Sequence, residues 1–231
     1  LVQALLISVV GLTLSFLLCG LVAIAGKRGS APTLVLSRAA FGYHGNRVSA
    51  LISWILTVGW ETFLAIMAVQ ATATVMGALG FSNHLLAQIA ALVLVVVPAA
   101  GSGILGFDTI MKVQTWITWA TAALTLVYLV LVADKINFSV LAARPAASST
   151  AVLGAGCMLA VGFGFGWVNA AADYSRYLPR NASTRGVVGW TTFGASLPVL
   201  VLVCFGVLLV GSSGAELSQK IGDDPIGALT T

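Results

Sequence analysis

Residues 162 to 176 read Gly-Phe-Gly-Phe-Gly-Trp-Val-Asn-Ala-Ala-Ala-Asp-Tyr-Ser-Arg, which places three glycines, an indole, an amide, a carboxylate and a guanidinium in and just beyond one apolar run. Gly162, Gly164 and Gly166 weaken a helix at the depth where a membrane span needs one. Freed backbone groups are costly in hydrocarbon, so such a break is tolerated only inside protein or along a wet cavity. Discontinuous helices of this kind let secondary transporters offer backbone groups to a solute. The chemistry implied is recognition of a small molecule rather than cleavage of one.

Tryptophan in a membrane protein is usually an interface anchor. Trp54, Trp116, Trp119 and Trp190 fall near one predicted boundary and fit that role. Trp60 and Trp167 lie deeper and do not. Such indoles suit stacking on a flat heteroaromatic ring, worth about 0.5–1.5 kcal/mol beyond area burial. Packing of large residues against glycine is the competing reading, and the residues alone leave the two open.

Glu61 follows Trp60 and is the one acid in the middle of a span. A carboxylate there costs about 2.5–3.5 kcal/mol or more, which makes it a candidate for contact with a solute or proton. A structural Glu, protonated or bonded to a neighbouring helix, is the alternative. Asn169 has an amide suited to the polar edge of a ring. Asp173 and Arg176, three residues apart at the end of the same span, have the spacing of a helical ion pair and read as a gate or end anchor.

These residues must be held by membrane-spanning helices. With 59% hydrophobic residues, 8% charged residues and a mean hydropathy of +1.03, the chain is far from soluble composition, where about a quarter of residues are charged. Apolar runs long enough to span fall near 1–25, 48–79, 84–105, 113–133, 151–172 and 187–212. The first is too long for a signal peptide and lacks a charged leader, so it reads as a true span. The chain as a whole reads as a single integral-membrane domain over 1–231, an internal fragment incomplete at both ends.

Running the first span from outside to inside puts Lys27, Arg28, Arg38, Arg47, Lys112, Arg176, Arg180 and Arg185 within, against Lys135, Arg144 and Lys220 without. Eight against three satisfies the positive-inside rule. The acids Asp134, Glu216, Asp223 and Asp224 fall outside. The net charge of +4 is therefore a matter of topology and not a nucleic-acid signal. The basic segment 26–47 could form a short interfacial helix, with its cations read as membrane-surface anchors. Cys19, Cys157 and Cys204 lie in apolar runs without metal-ligand or pairing spacing and read as small core residues. His44 and His84 sit at span ends and carry no relay role. No metal site is expected.

Several motifs together resemble the nucleobase:cation symporter 1 family, in its purine-cytosine permease branch. They are Gly-Lys-Arg-Gly-Ser-Ala-Pro at 26–32, Leu-Ser-Arg-Ala-Ala-Phe-Gly-Tyr-His-Gly-Asn at 36–46, Gly59-Trp60, the run from Gly166-Trp167 to Ala-Asp-Tyr-Ser-Arg-Tyr-Leu-Pro ending at 179, and Asp224-Pro225 with Gly227. The resemblance implies an all-α polytopic protein with a LeuT-type inverted-repeat fold, of which this chain holds spans two to seven. It implies that Trp60 and Trp167 sandwich the substrate ring, with Gly166 and Asn169 beside unwound backbone that contacts it. Where the family commonly carries an amide four residues after its third-span tryptophan, this chain has Leu64, for which Glu61 is a candidate substitute. The implied activity is import of cytosine, a purine or a related heterocycle across the plasma membrane, coupled to sodium or a proton by alternating access. The alternatives are a thiamine-precursor pyrimidine, a hydantoin or allantoin as cargo. A membrane scaffold explains the spans but not the glycine break. An intramembrane enzyme lacks a nucleophile or paired-acid signature at depth.

Overall fold

A computed structural model describes residues 1–81, 83–214 and 219–220. The Asp224-Pro225 and Gly227 motif and the acids Glu216, Asp223 and Asp224 lie outside the described residues, as does the side chain of His84. The described residues are helical and contain no strand. The helices in order are α1 (Val2–Gly29), α2 (Thr33–Leu36), α3 (Arg38–Ala78), α4 (His84–Leu105), α5 (Phe107–Val132), α6 (Phe138–Ala143), α7 (Ser149–Ala160), α8 (Ala171–Ser175) and α9 (Thr184–Ser212). A π-helical turn, Val161–Phe165, and a 3-10 turn, Val168–Ala170, join α7 to α8.

Among the described residues, six helices are long and apolar enough to cross a membrane: Val2–Gly29, Arg38–Ala78, Leu85–Leu105, Phe107–Lys135, Ser149–Ser175 and Thr184–Ser212. They match the six hydropathic runs, although the second begins at Arg38, ten residues before its run, and the fourth at Phe107, six residues before its run. Asn83 Oδ1 accepts from the Leu86 amide at 3.1 Å, Asn137 Oδ1 from Ser139 and Val140, and Ser148 Oγ from Ala151 at 3.2 Å. Each satisfies an amide that the first helical turn leaves without a partner.

The chain divides into two compact units, one of Leu1–Trp54 with Asn137–Ser212, the other centred on Ile55–Ile136. In the first unit α1 is the central helix. Its buried positions, Ser8, Leu12, Ser15, Phe16, Cys19, Gly20, Ala23, Gly26 and Lys27, recur at three- and four-residue steps and so form one stripe. Most are small, which lets neighbouring backbones approach closely in a membrane protein. Leu12, Phe16 and Cys19 pack with Leu159, Phe163, Val168 and Ala171 of the segment from α7 to α8, and with Ala195, Val199, Leu200 and Val203 of α9. In the second unit α4 and α5 pack on each other.

One basic residue departs from the sequence expectation. Lys27 is 4% exposed and donates to the Ala182 carbonyl at 2.7 Å and to Thr184 Oγ1 at 2.9 Å. It ties the end of α1 to the start of α9 and is not a membrane-surface anchor. An ammonium on a flexible stem reaches such acceptors while its methylenes cover apolar surface.

Candidate functional site

The glycine-rich stretch is a continuous helix that changes pitch, not a coil. Residues 161–165 adopt the wider π turn, Gly166 and Trp167 return to helical dihedrals, and residues 168–170 tighten to 3-10 before α8. The expected unwound backbone is therefore a bulge, a feature that recurs at functional sites. Its cause is packing. A Cβ on Gly164 would run into Ser15 of α1, so only glycine admits this approach. The Gly164 carbonyl, displaced from regular α-helical pairing, accepts from the Cys19 thiol at 3.0 Å.

Trp167 follows the bulge and is 60% exposed, stacked on no ring among the described residues. Asn169, two residues further, donates from Nδ2 to Ser53 Oγ at 2.7 Å. That bond links the 3-10 turn to α3 and fixes the amide, leaving Oδ1 as the free acceptor. Gly166 has room: a Cβ there would meet only the Val161 carbonyl, at 3.4 Å.

Asp173 and Arg176 do not form the expected ion pair. Asp173 Oδ1 instead accepts from the Thr33 amide at 2.8 Å and the Thr33 hydroxyl at 3.0 Å. The same hydroxyl accepts from the Ala172 amide at 2.9 Å. Two donors converging on one carboxylate, one of them a backbone amide at the start of α2, outweigh a three-apart pair worth a few tenths of a kcal/mol. Arg176 turns away, donating from Nη2 to the Tyr177 hydroxyl at 2.6 Å, with its guanidinium 4.7 Å from that ring's centroid. The Thr33–Asp173 clasp joins residues 140 apart in sequence, which no local spacing announces.

The clasp gives a measurable expectation. Asp173→Ala leaves the Thr33 amide without its acceptor and should destabilise the purified protein by about 1–3 kcal/mol, read as a lowered melting midpoint in detergent. Thr33→Val should lower it as well. An unchanged midpoint for both would remove the clasp from the structural account.

In the second unit Trp60 is 47% exposed and meets Phe63 edge-on, with centroids 5.9 Å apart at 83°. Glu61 is exposed on its helix and bonds to none of the described residues. Leu64 is exposed as well. The tryptophans assigned to the belt, Trp54, Trp116, Trp119 and Trp190, are all exposed. A shallow groove of about 390 Å³ over the start of α9, lined by Arg185, Gly186, Gly189, Trp190 and Phe193, contains none of the candidate residues. Among the described residues no group of His, Cys, Asp and Glu could hold a metal.

Residues 1–220 match the family model described as permease for cytosine/purines, uracil, thiamine, allantoin. The chain belongs to this permease family. Over 188 residues it is 26% identical to the purine-cytosine permease FcyB of Emericella nidulans, an alignment covering 80% of this chain and 35% of that protein. It thus spans about a third of the length of this relative. No solved structure matches it significantly. Family and helices together make the chain part of an integral membrane protein. A permease family points to transport rather than catalysis, which disposes of the intramembrane enzyme.

Proposed function

We propose that the protein carries a nucleobase or related heterocycle across the plasma membrane, by alternating access coupled to sodium or a proton. The reading rests on one observation above others: the family match runs through the π bulge, where an unstacked indole, Trp167, stands beside glycine on a pitch-changing span. A flat ring supplies the stacking partner that Trp167 lacks among the described residues. The free Oδ1 of Asn169 suits a ring N–H or exocyclic amine, its Nδ2 being held by Ser53. Trp60 keeps the ring-stacking role that the resemblance implies, and Glu61 remains the candidate polar contact in place of the amide that Leu64 replaces.

A second reading has its own support. Leu64 stands where the family commonly has an amide, which favours a ring-shaped heterocycle other than cytosine or a purine. Both readings meet in one experiment. Cells expressing the intact protein are assayed for uptake of radiolabelled cytosine, adenine and hypoxanthine, with and without an ion gradient. Saturable, gradient-dependent uptake of one of them is expected. Uptake of none, with allantoin, a hydantoin or a thiamine-precursor pyrimidine taken up instead, would select the second reading.

A further inference from the structure

Within the helix Arg38–Ala78 one residue leaves helical geometry: Gly42, at φ 67° and ψ 177°. That left-handed φ is readily reached only by glycine. In an unbroken helix positions 38 and 47 would lie on opposite faces, about 13 Å apart along the axis. The kink instead brings both guanidiniums to one ring: Arg38 lies 5.4 Å and Arg47 5.1 Å from the Tyr43 centroid. His44 meets the same ring edge-on at 5.6 Å. The kink is anchored beneath by Asn46, 5% exposed, which donates to the Leu34 carbonyl at 2.7 Å and accepts from the Ser37 hydroxyl.

Two like charges are thus held on one small platform, and neither has an acidic partner among the described residues. The π face offsets part of their repulsion. An anion within reach of both would offset the rest. Arg38, Tyr43, His44 and Arg47 are exposed, as are the flanking apolar Phe41 and Val48. The segment falls on the inner side of the membrane by the distribution of basic residues. Exposed aromatics beside paired cations at that boundary match a membrane interface, where the available anion is a lipid phosphate.

The geometry points to a headgroup site: Arg38 and Arg47, set on Tyr43 by the Gly42 kink, clamp the phosphate of an anionic phospholipid of the inner leaflet. A guanidinium fork grips phosphate in two directions at once, which an ammonium does not. The site is independent of the transported solute.

The test titrates phosphatidylglycerol or phosphatidylcholine into the intact protein in neutral detergent and counts bound lipid by native mass spectrometry. Phosphatidylglycerol should be preferred. Losing one arginine as Arg38→Gln or Arg47→Gln should weaken it about fivefold, and losing both about thirtyfold, with phosphatidylcholine little changed. The Arg38→Lys/Arg47→Lys double variant keeps the charge but loses the forks and should fall between. Should the double glutamine variant express poorly, the single variants carry the test. Unchanged binding in the glutamine variants overturns the site. A lysine double variant equal to the native protein reduces it to diffuse surface attraction and overturns the clamp. Displacement of the lipid by millimolar inorganic phosphate would make it a soluble-anion site and overturn the assignment to lipid.

Discussion

Trp167→Ala in the intact protein is expected to abolish saturable uptake while leaving membrane insertion unchanged. The indole contributes little to the described core: it is 60% exposed and absent from the cluster around Leu12, Phe16 and Cys19. Its loss should therefore cost little stability. Loss of one stacking face on a heterocycle weakens binding by about 1–3 kcal/mol, a factor of roughly 5 to 150 in affinity. Trp167→Phe keeps a π face of smaller area and should retain part of the uptake. Trp60→Ala is expected to act in the same direction, and Glu61→Gln tests the acid separately. Measured solute affinity in detergent separates binding from expression. Native affinity in both alanine variants would return these tryptophans to packing and remove the basis for the proposed site.

The six spans were legible because hydropathy is a sum over about 20 neighbours, and local sums are what a sequence displays directly. The starts read near 84 and 151 were legible to within a turn, since Asn83 and Ser148 cap through their own following amides, whereas α3 begins at Arg38, ten residues before its apolar run. What the sequence hid was every interaction between distant segments. Asp173 and Arg176 had the spacing of a pair, but the winning donor for Asp173, Thr33, lies 140 residues away. Lys27 sits in a run of basic residues and looks like its neighbours, yet it is buried by Ala182 and Thr184, more than 150 residues downstream. The Arg38–Tyr43–Arg47 platform was hidden differently: its residues are local, but their meeting depends on one backbone dihedral at Gly42 that glycine permits without announcing. The candidate site was legible as a set of residue types, and the bulge that shapes it was legible only as a weakness in a helix.

The three glycines of that bulge look equivalent in sequence and should behave very differently when substituted. A Cβ on Gly164 would collide with the backbone and side chain of Ser15. Ser15 is itself fully buried on the central stripe of α1, so it has no space to move into. Gly164→Ala must push α1 and the π turn apart, and overpacking of this kind costs about 1–3 kcal/mol or more. It would also shift the Gly164 carbonyl away from the Cys19 thiol. Gly164→Leu adds three further carbons to the same clash and should leave no folded protein to purify. Gly162→Ala, two residues earlier, meets nothing within 4 Å. Alanine is better than glycine in a helix by about 1 kcal/mol, so this variant should keep or raise the melting midpoint. Gly166→Ala, whose Cβ would meet only the Val161 carbonyl at 3.4 Å, should fall between the two. The ordering of the three midpoints decides what the glycines supply. If Gly162→Ala is as damaging as Gly164→Ala, the stretch needs backbone freedom throughout. If only Gly164 is intolerant, the bulge is held by the fit of α1 against one bare Cα, and the freedom of its neighbours is available for movement of Trp167 and the backbone around it.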